Sequence, residues 1–182
     1  MRLAETVTFG GDGLNRRADL RGQSDTLSRS EDAVHFVFWR GKILLSGQMD
    51  LVELPTNAPF LENSGQPPVF LGEKSGRYFF AHDVSSWKPA DGIDETVGAF
   101  VDQSRQVVEE IEGSPEFCEI RSVMSELSAT DAELSATAKS IHGWHASHRF
   151  CSQCGDESSS ADGGYWVVEL LEVEMKCRHS PA

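Results

Sequence analysis

The residues best suited to chemistry lie between positions 144 and 155, where two cysteines are separated by two residues. Cys151 and Cys154 form the one C-x-x-C of the chain, and Gly155 follows at once. This spacing is typical of a tight turn whose backbone N–H groups stabilise two thiolates facing a zinc ion. A structural zinc site needs four ligands. The pair therefore predicts half of a zinc site, and the other two ligands must come from elsewhere.

A helix is predicted to run directly into this turn and to fix its position. Thr130 and Glu133 fit a capping box, in which the hydroxyl and the carboxylate satisfy each other's backbone N–H groups. Four later residues fall on one helical stripe: Leu134, Ala138, Ile141 and His145. The sequence therefore predicts a helix that begins near residue 130 and ends at the cysteines.

Three histidines, His142, His145 and His148, recur every three residues along the end of this helix. Such spacing brings neighbours together on a helix, so a second metal site is one reading of them. The reading we favour is that they pack and form hydrogen bonds, with one histidine orienting a cysteine thiolate.

Two more helices are predicted upstream. Residues 95–112 carry apolar side chains at approximate helical spacing, and Gly113, Ser114 and Pro115 are a stop signal. Residues 117–127 predict a short second helix. The acidic run of Glu109, Glu110 and Glu112 is interpreted as the solvated face of the first of these helices.

The front half of the chain predicts a β-sheet. Residues 33–39 and 42–45 are rich in β-branched and aromatic types around an Arg-Gly turn, and residues 69–82 repeat this hairpin pattern. Residues 49–54 predict a further short strand that ends at a proline. His35 is interpreted as a packed strand residue. We therefore expect an α+β fold, with a mixed or antiparallel sheet covered by helices.

Composition limits the function. The 182 residues carry a net charge of -13, which argues against nucleic-acid binding because phosphates need clustered Lys and Arg. No apolar run is long enough to cross a membrane, and the first residues lack the apolar core of a signal peptide. Four cysteines, two of them in the C-x-x-C, are typical of a reducing compartment, so a cytoplasmic protein is expected.

The stretch W-H-x-x-H-R-F-C-x-x-C-G, residues 144–155, resembles a junction in bacterial NADH pyrophosphatases of the Nudix superfamily. In those enzymes a small Nudix-like domain passes through a helix into a zinc ribbon. Residues 70–72 and 79–85 are similar to a hairpin of that domain. The resemblance implies a rudimentary Nudix-like domain over residues 1–143 and a partial zinc ribbon over residues 144–182.

The resemblance also implies an activity, the cleavage of NADH to NMNH and AMP, with NAD(H) as substrate and a homodimer as the assembly. The complete enzymes carry a Nudix box, G-x5-E-x7-R-E-U-x-E-E-x-G-U, whose glutamates hold magnesium or manganese against the pyrophosphate. Nothing in the 182 residues matches that box. We therefore expect no catalytic residue and no NAD(H) hydrolysis by this polypeptide alone.

The tail departs from the family, because a second C-x-x-C is expected about 15 residues after Cys154. One explanation is a Cys3His zinc site of Cys151, Cys154, Cys177 and His179, although one residue between the last two is a tight spacing.

The second explanation is a truncated or frameshifted product. Residues 168–172 encoded as GTG-GAG-CTG-CTC-GAA and shifted by one base read Trp-Ser-Cys-Ser-Lys, which places a cysteine codon at position 170. Two functions follow from these explanations. The chain is either the N-terminal and zinc-ribbon part of an NAD(H) diphosphatase or a stand-alone zinc-binding module for protein interaction.

Overall fold

The computed structural model describes residues 13–90, 92, 102, 104–151, 155–169 and 178–179. Nine strands are assigned within them: β1 Ala33–Trp39, β2 Lys42–Leu45, β3 Val69–Lys74, β4 Arg77–Asp83, β5 Gln106–Val107, β6 Glu116–Cys118, β7 Ser158–Ala161, β8 Trp166–Glu169 and β9 Arg178–His179. Three α-helices accompany them: α1 Ser24–Leu27, α2 Ile120–Val123 and α3 Ala129–Ser147. Short 3-10 helices cover Ala18–Gln23, Pro59–Asn63 and Asp162–Gly164.

The main sheet has six strands in the order β3-β4-β1-β2-β6-β5. Both predicted hairpins are confirmed, since β1 pairs antiparallel with β2 and β3 pairs antiparallel with β4. The two hairpins meet through a parallel pairing of β1 with β4, in which Ala33 lies opposite Tyr78. The sheet is therefore mixed, and the α+β fold class is confirmed.

Strand β1 lies at the centre of the core, and all seven of its side chains are buried. On one face Phe36 and Phe38 belong to the same apolar cluster as Leu134 and Ala138 of α3. On the other face Trp39 packs against Trp87 and Phe117. Burial of each such side chain contributes about 1.5–3 kcal/mol, so β1 is the strand that both layers depend on.

The predicted helix over residues 95–112 is wrong in its C-terminal part. Gln106 and Val107 form β5, which pairs with β6, and turns follow at 109–113. The pairing satisfies the backbone of this β-branched segment at the sheet edge, and this outweighs its helical spacing. The acidic run is exposed as predicted, but it lies on turns. Residues 93–101 and 103 lie outside the described residues.

Two shorter predictions also need correction. The helix expected over residues 117–127 spans Ile120–Val123, because Phe117 is taken into β6. The strand expected over residues 49–54 is reduced to two isolated bridges, one at Leu51 and one at Leu54. Its backbone therefore touches β1 and β2 at single points without forming a continuous ladder.

Helix α3 is confirmed, but it begins slightly earlier than the capping-box pattern predicts. Ser128 is the N-cap, and its hydroxyl accepts a hydrogen bond from the Asp131 backbone N–H at 3.1 Å. Glu133, expected to complete a cap, is buried and accepts a hydrogen bond from Arg16 at 3.1 Å. Tertiary pairing of the carboxylate therefore replaces the local cap.

A second, three-stranded sheet follows α3, with the antiparallel order β7-β8-β9. The 3-10 helix Asp162–Gly164 connects β7 to β8 and approaches the main sheet at Val69 of β3. Within the described residues, no helix is long and apolar enough to cross a membrane.

Replacing Gly72 by alanine is expected to lower the unfolding free energy by on the order of 1–3 kcal/mol. Gly72 has φ +140° at the bulge of β3, and a Cβ there would lie 2.5 Å from the Asn15 carbonyl oxygen. Urea unfolding measures the loss. The matched control is Gly143→Ala in α3, where a Cβ meets no atom within 4 Å and stability should rise slightly. Equal effects in both variants would contradict the steric argument.

Candidate functional site at the helix and cysteine turn

The first predicted zinc ligand, Cys151, lies four residues beyond the end of α3 and is buried. Its carbonyl oxygen accepts a hydrogen bond from the Gly155 N–H at 2.8 Å, and its own N–H donates to the Asp156 carbonyl at 2.8 Å. These two bonds hold Gly155 and Asp156 against Cys151. Phe150 and Glu157 form a β-bridge beside them, so the chain before Cys151 is also paired with the chain after Gly155.

The other predicted ligands are Cys154, Cys177 and His179. Cys154 and Cys177 lie outside the described residues, and His179 lies on β9, where its backbone pairs with Val167 of β8. In the part of the chain that the structure describes, no three His, Cys, Asp or Glu side chains are placed to hold a metal ion. The four-ligand zinc set therefore stays a prediction.

Helix α3 places His142 and His145, and its C-cap residue His148, among packing and hydrogen-bond partners. The ring of His142 lies 5.5 Å from the ring of Phe38, and a ring nitrogen of His145 contacts the Gly164 carbonyl at 2.8 Å. His148 contacts the Trp144 carbonyl at 3.0 Å and stacks on the Trp144 ring. The prediction that these histidines pack and form hydrogen bonds is confirmed, and His145 joins α3 to the segment before β8. A histidine that orients a cysteine thiolate stays a prediction.

A buried histidine pair lies beside this helix end and was not predicted as a pair. The ring nitrogens His35 Nδ1 and His82 Nε2 are 2.8 Å apart, and both side chains are buried. The parallel pairing of β1 with β4 brings them together, and strand alternation alone carries no signal for that alignment. His35 is confirmed as a packed strand residue.

Burial lowers the pKa of His82 from its ordinary value of 6.5 to about 3, and the neighbouring His35 and His142 add to the effect. Burial also lowers the pKa of His142, although the nearby Asp83 carboxylate acts to raise it. Burial lowers the pKa of His145 as well, although its hydrogen bond to the Gly164 carbonyl acts to raise it. The cluster is therefore neutral near pH 7, where each imidazole offers one donor and one acceptor.

A pocket of about 290 Å³ opens between the end of α3 and β7. Nine of its lining residues are polar or charged: Gln66, Asp83, His142, His145, His148, Arg149, Glu157, Ser158 and Ser160. The set can form hydrogen bonds with a polar ligand.

Two comparisons place the chain among known proteins. Residues 32–144 match the family model described as "NADH pyrophosphatase-like rudimentary NUDIX domain". The chain is also similar to the human protein "NAD(P)H pyrophosphatase NUDT13, mitochondrial", with 38% identity over 55 residues. That alignment covers 30% of this chain and 15% of the human protein's length. The chain therefore belongs to the family of NADH pyrophosphatase-like rudimentary NUDIX domains.

Proposed function

We propose that this chain is the non-catalytic N-terminal part of an NAD(H) diphosphatase, which cleaves NADH to NMNH and AMP. The observation that carries the proposal is the family match over residues 32–144. The name of the human relative, an NAD(P)H pyrophosphatase, supports the same substrate class. The 182 residues contain no Nudix box, so the carboxylates that hold magnesium or manganese must be supplied from outside them.

In this proposal the chain contributes a folded platform and a zinc ribbon. Cys151, Cys154, Cys177 and His179 are the proposed zinc ligands, and zinc bound there would tie the cysteine turn to the tail. The hydrogen bonds that hold Gly155 and Asp156 against Cys151 support this assignment, because they bring the chain back beside the first cysteine of the C-x-x-C. A homodimer is proposed as the assembly. The cytoplasm is the proposed compartment, which the free thiol of Cys118 suits.

The test uses the 182-residue polypeptide with NADH and either magnesium or manganese, and measures released AMP. We expect no release above the rate without protein. Sustained AMP release that tracks the purified chain would contradict the non-catalytic role. Joining the chain to a catalytic Nudix domain should give hydrolysis, and failure of that joined protein to cleave NADH would contradict the substrate class.

Zinc content separates the two readings of the tail. A bound zinc near one per chain, lost in both Cys151→Ser and His179→Asn, supports the Cys3His site and a stand-alone zinc-binding module. The pairing of β9 with β8 favours this second candidate, because it gives residues 178–179 a fixed place. Exposed Ser122→Ala is the matched control for metal loss. Zinc that is retained without His179, or a second C-x-x-C in another reading frame of the DNA, supports the frameshifted enzyme.

A further inference from the structure

An open pocket of about 410 Å³ lies between the N-terminal segment, helix α3 and the turn before β8. Arg16 and Arg21 line it together with the hydroxyl-bearing residues Thr137, Ser140 and Tyr165. Among the described residues, none that lines it is acidic, although the chain holds 29 acidic and 16 basic residues. Such a concentration of positive charge in an acidic chain favours the binding of anions at this pocket.

The first arginine is held by the protein itself. Arg16 donates from Nη2 to Thr137 Oγ1 at 2.7 Å and to Glu133 Oε1 at 3.1 Å, and it reaches the Leu71 carbonyl at 3.4 Å. The Glu133 carboxylate partly balances its charge. Arg16 therefore forms a fixed wall of the pocket and orients the Thr137 hydroxyl.

The second arginine, Arg21, is held against an aromatic ring, but its Nε has no hydrogen-bond partner among the described residues. The guanidinium carbon of Arg21 lies 3.4 Å from the centre of the Tyr165 ring. Within the described residues, Arg21 Nε and the Tyr165 hydroxyl are buried and have no hydrogen-bond partner. A buried polar group that stays unpaired destabilises the fold. Turning either group toward a ligand in the pocket therefore breaks no hydrogen bond with the described protein.

The close approach of Tyr165 to Arg21 depends on the residue before it. Gly164 has φ +92°, and a Cβ there would lie 2.8 Å from Val69 Cγ2. Glycine at this position lets the turn before β8 lie directly on the main sheet, which brings the Tyr165 ring under the guanidinium. The pocket is therefore built by tertiary packing of three separate segments.

We propose that this pocket binds the phosphate group of a small phosphate monoester, with Arg21 as its main ligand. Arginine presents a fork of donors that matches phosphate oxygens. The Tyr165 hydroxyl, which has no hydrogen-bond partner among the described residues, is a second donor beside it, whereas the Thr137 and Ser140 hydroxyls donate to backbone carbonyls of α3. The volume exceeds that of phosphate alone and lies within the range of small-molecule sites. The inference does not depend on NAD(H) hydrolysis.

Isothermal titration of the 182-residue chain with inorganic phosphate and with a nucleoside monophosphate tests the site. Saturable binding is expected, with tighter binding of the monophosphate. Arg21→Gln should weaken it roughly tenfold or more, because a charge-assisted hydrogen bond is lost. The matched control is Arg29→Gln, which removes an exposed arginine that does not line the pocket and should leave the affinity within about twofold.

Three results would overturn the proposal. They are the absence of saturable phosphate binding, equal weakening by Arg21→Gln and Arg29→Gln, and acetate binding as tight as phosphate. Circular dichroism checks that Arg21→Gln remains folded. Should it unfold, Tyr165→Phe decides, because that variant keeps the ring under Arg21 and removes the hydroxyl alone. Unchanged affinity in a folded Tyr165→Phe would then count against the site.

Discussion

Replacing Asp102 by asparagine is expected to lower the unfolding free energy by about 3–5 kcal/mol, since it leaves a buried ammonium without its counter-charge. Lys42 and Asp102 are 2.8 Å apart, and their side chains are 1% and 4% exposed. The Lys42 ammonium also donates to the Ser104 carbonyl at 2.7 Å and to its hydroxyl at 2.6 Å. These neutral acceptors remain in the variant but cannot replace the carboxylate charge.

A double-mutant cycle isolates the pair in urea unfolding. Lys42→Met alone should cost less than Asp102→Asn, because the carboxylate keeps its hydrogen bonds from the Ser104 N–H and hydroxyl. The double variant should recover part of the loss, since it leaves no unpaired buried charge. Additive losses in the double variant would show that the two charges do not stabilise each other.

Lowering the pH from 7 to 4 is expected to weaken the fold by about 3 kcal/mol through His82 alone. Its pKa falls from 6.5 to about 3 on folding. Above pH 6.5 both folded and unfolded chains hold His82 neutral, so stability is highest there. Between pH 6.5 and 3 the unfolded chain binds a proton that the folded chain excludes, so stability falls as the pH falls. Burial of His142 and His145 acts in the same direction.

The measurement is the unfolding free energy of the wild type and His82→Gln at several pH values between 4 and 7. The variant removes the titrating ring, so its stability should fall less steeply with acid. Val84→Ala is the matched control because Val84 is fully buried and does not titrate. It should lower stability at every pH and keep the wild-type slope. An equal slope in His82→Gln would exclude His82 as the source of the pH dependence.

Local pattern predicts the local parts of this fold well. The β1–β2 and β3–β4 hairpins follow from alternating side chains around short turns, and α3 follows from its apolar stripe. The stretch around Val107 misled the helical prediction, because its apolar spacing suits a helix and its pairing with β6 is not encoded nearby. The N-cap shifted to Ser128 since Glu133 pairs with Arg16, a residue distant in sequence.

In the candidate site, too, the features set by neighbouring residues were predictable from the sequence, and the contacts between distant residues were not. The hydrogen bond between Cys151 and Gly155 agrees with the spacing of the C-x-x-C-G stretch. The family is predicted mainly from the motif at residues 144–155, whereas the matching family model covers residues 32–144. The contact between His35 and His82 arises from the parallel alignment of two hairpins. The stacking of Arg21 on Tyr165 brings together two segments that are distant in sequence. Contacts of this kind depend on tertiary packing, which single-sequence periodicity does not contain.

The strand order has a consequence for how the protein folds. Ala33 of β1 must find Tyr78 of β4, and Ile43 of β2 must find Cys118 of β6, before the sheet is complete. Closing such long loops loses chain entropy before contacts repay it, so folding is expected to be slow for a domain of this size. On the ribosome, β1 and β2 emerge as an apolar hairpin whose partners do not yet exist. The nascent chain therefore exposes Trp39 until Trp87 and Phe117 have left the ribosome, and Phe36 and Phe38 until α3 has done so.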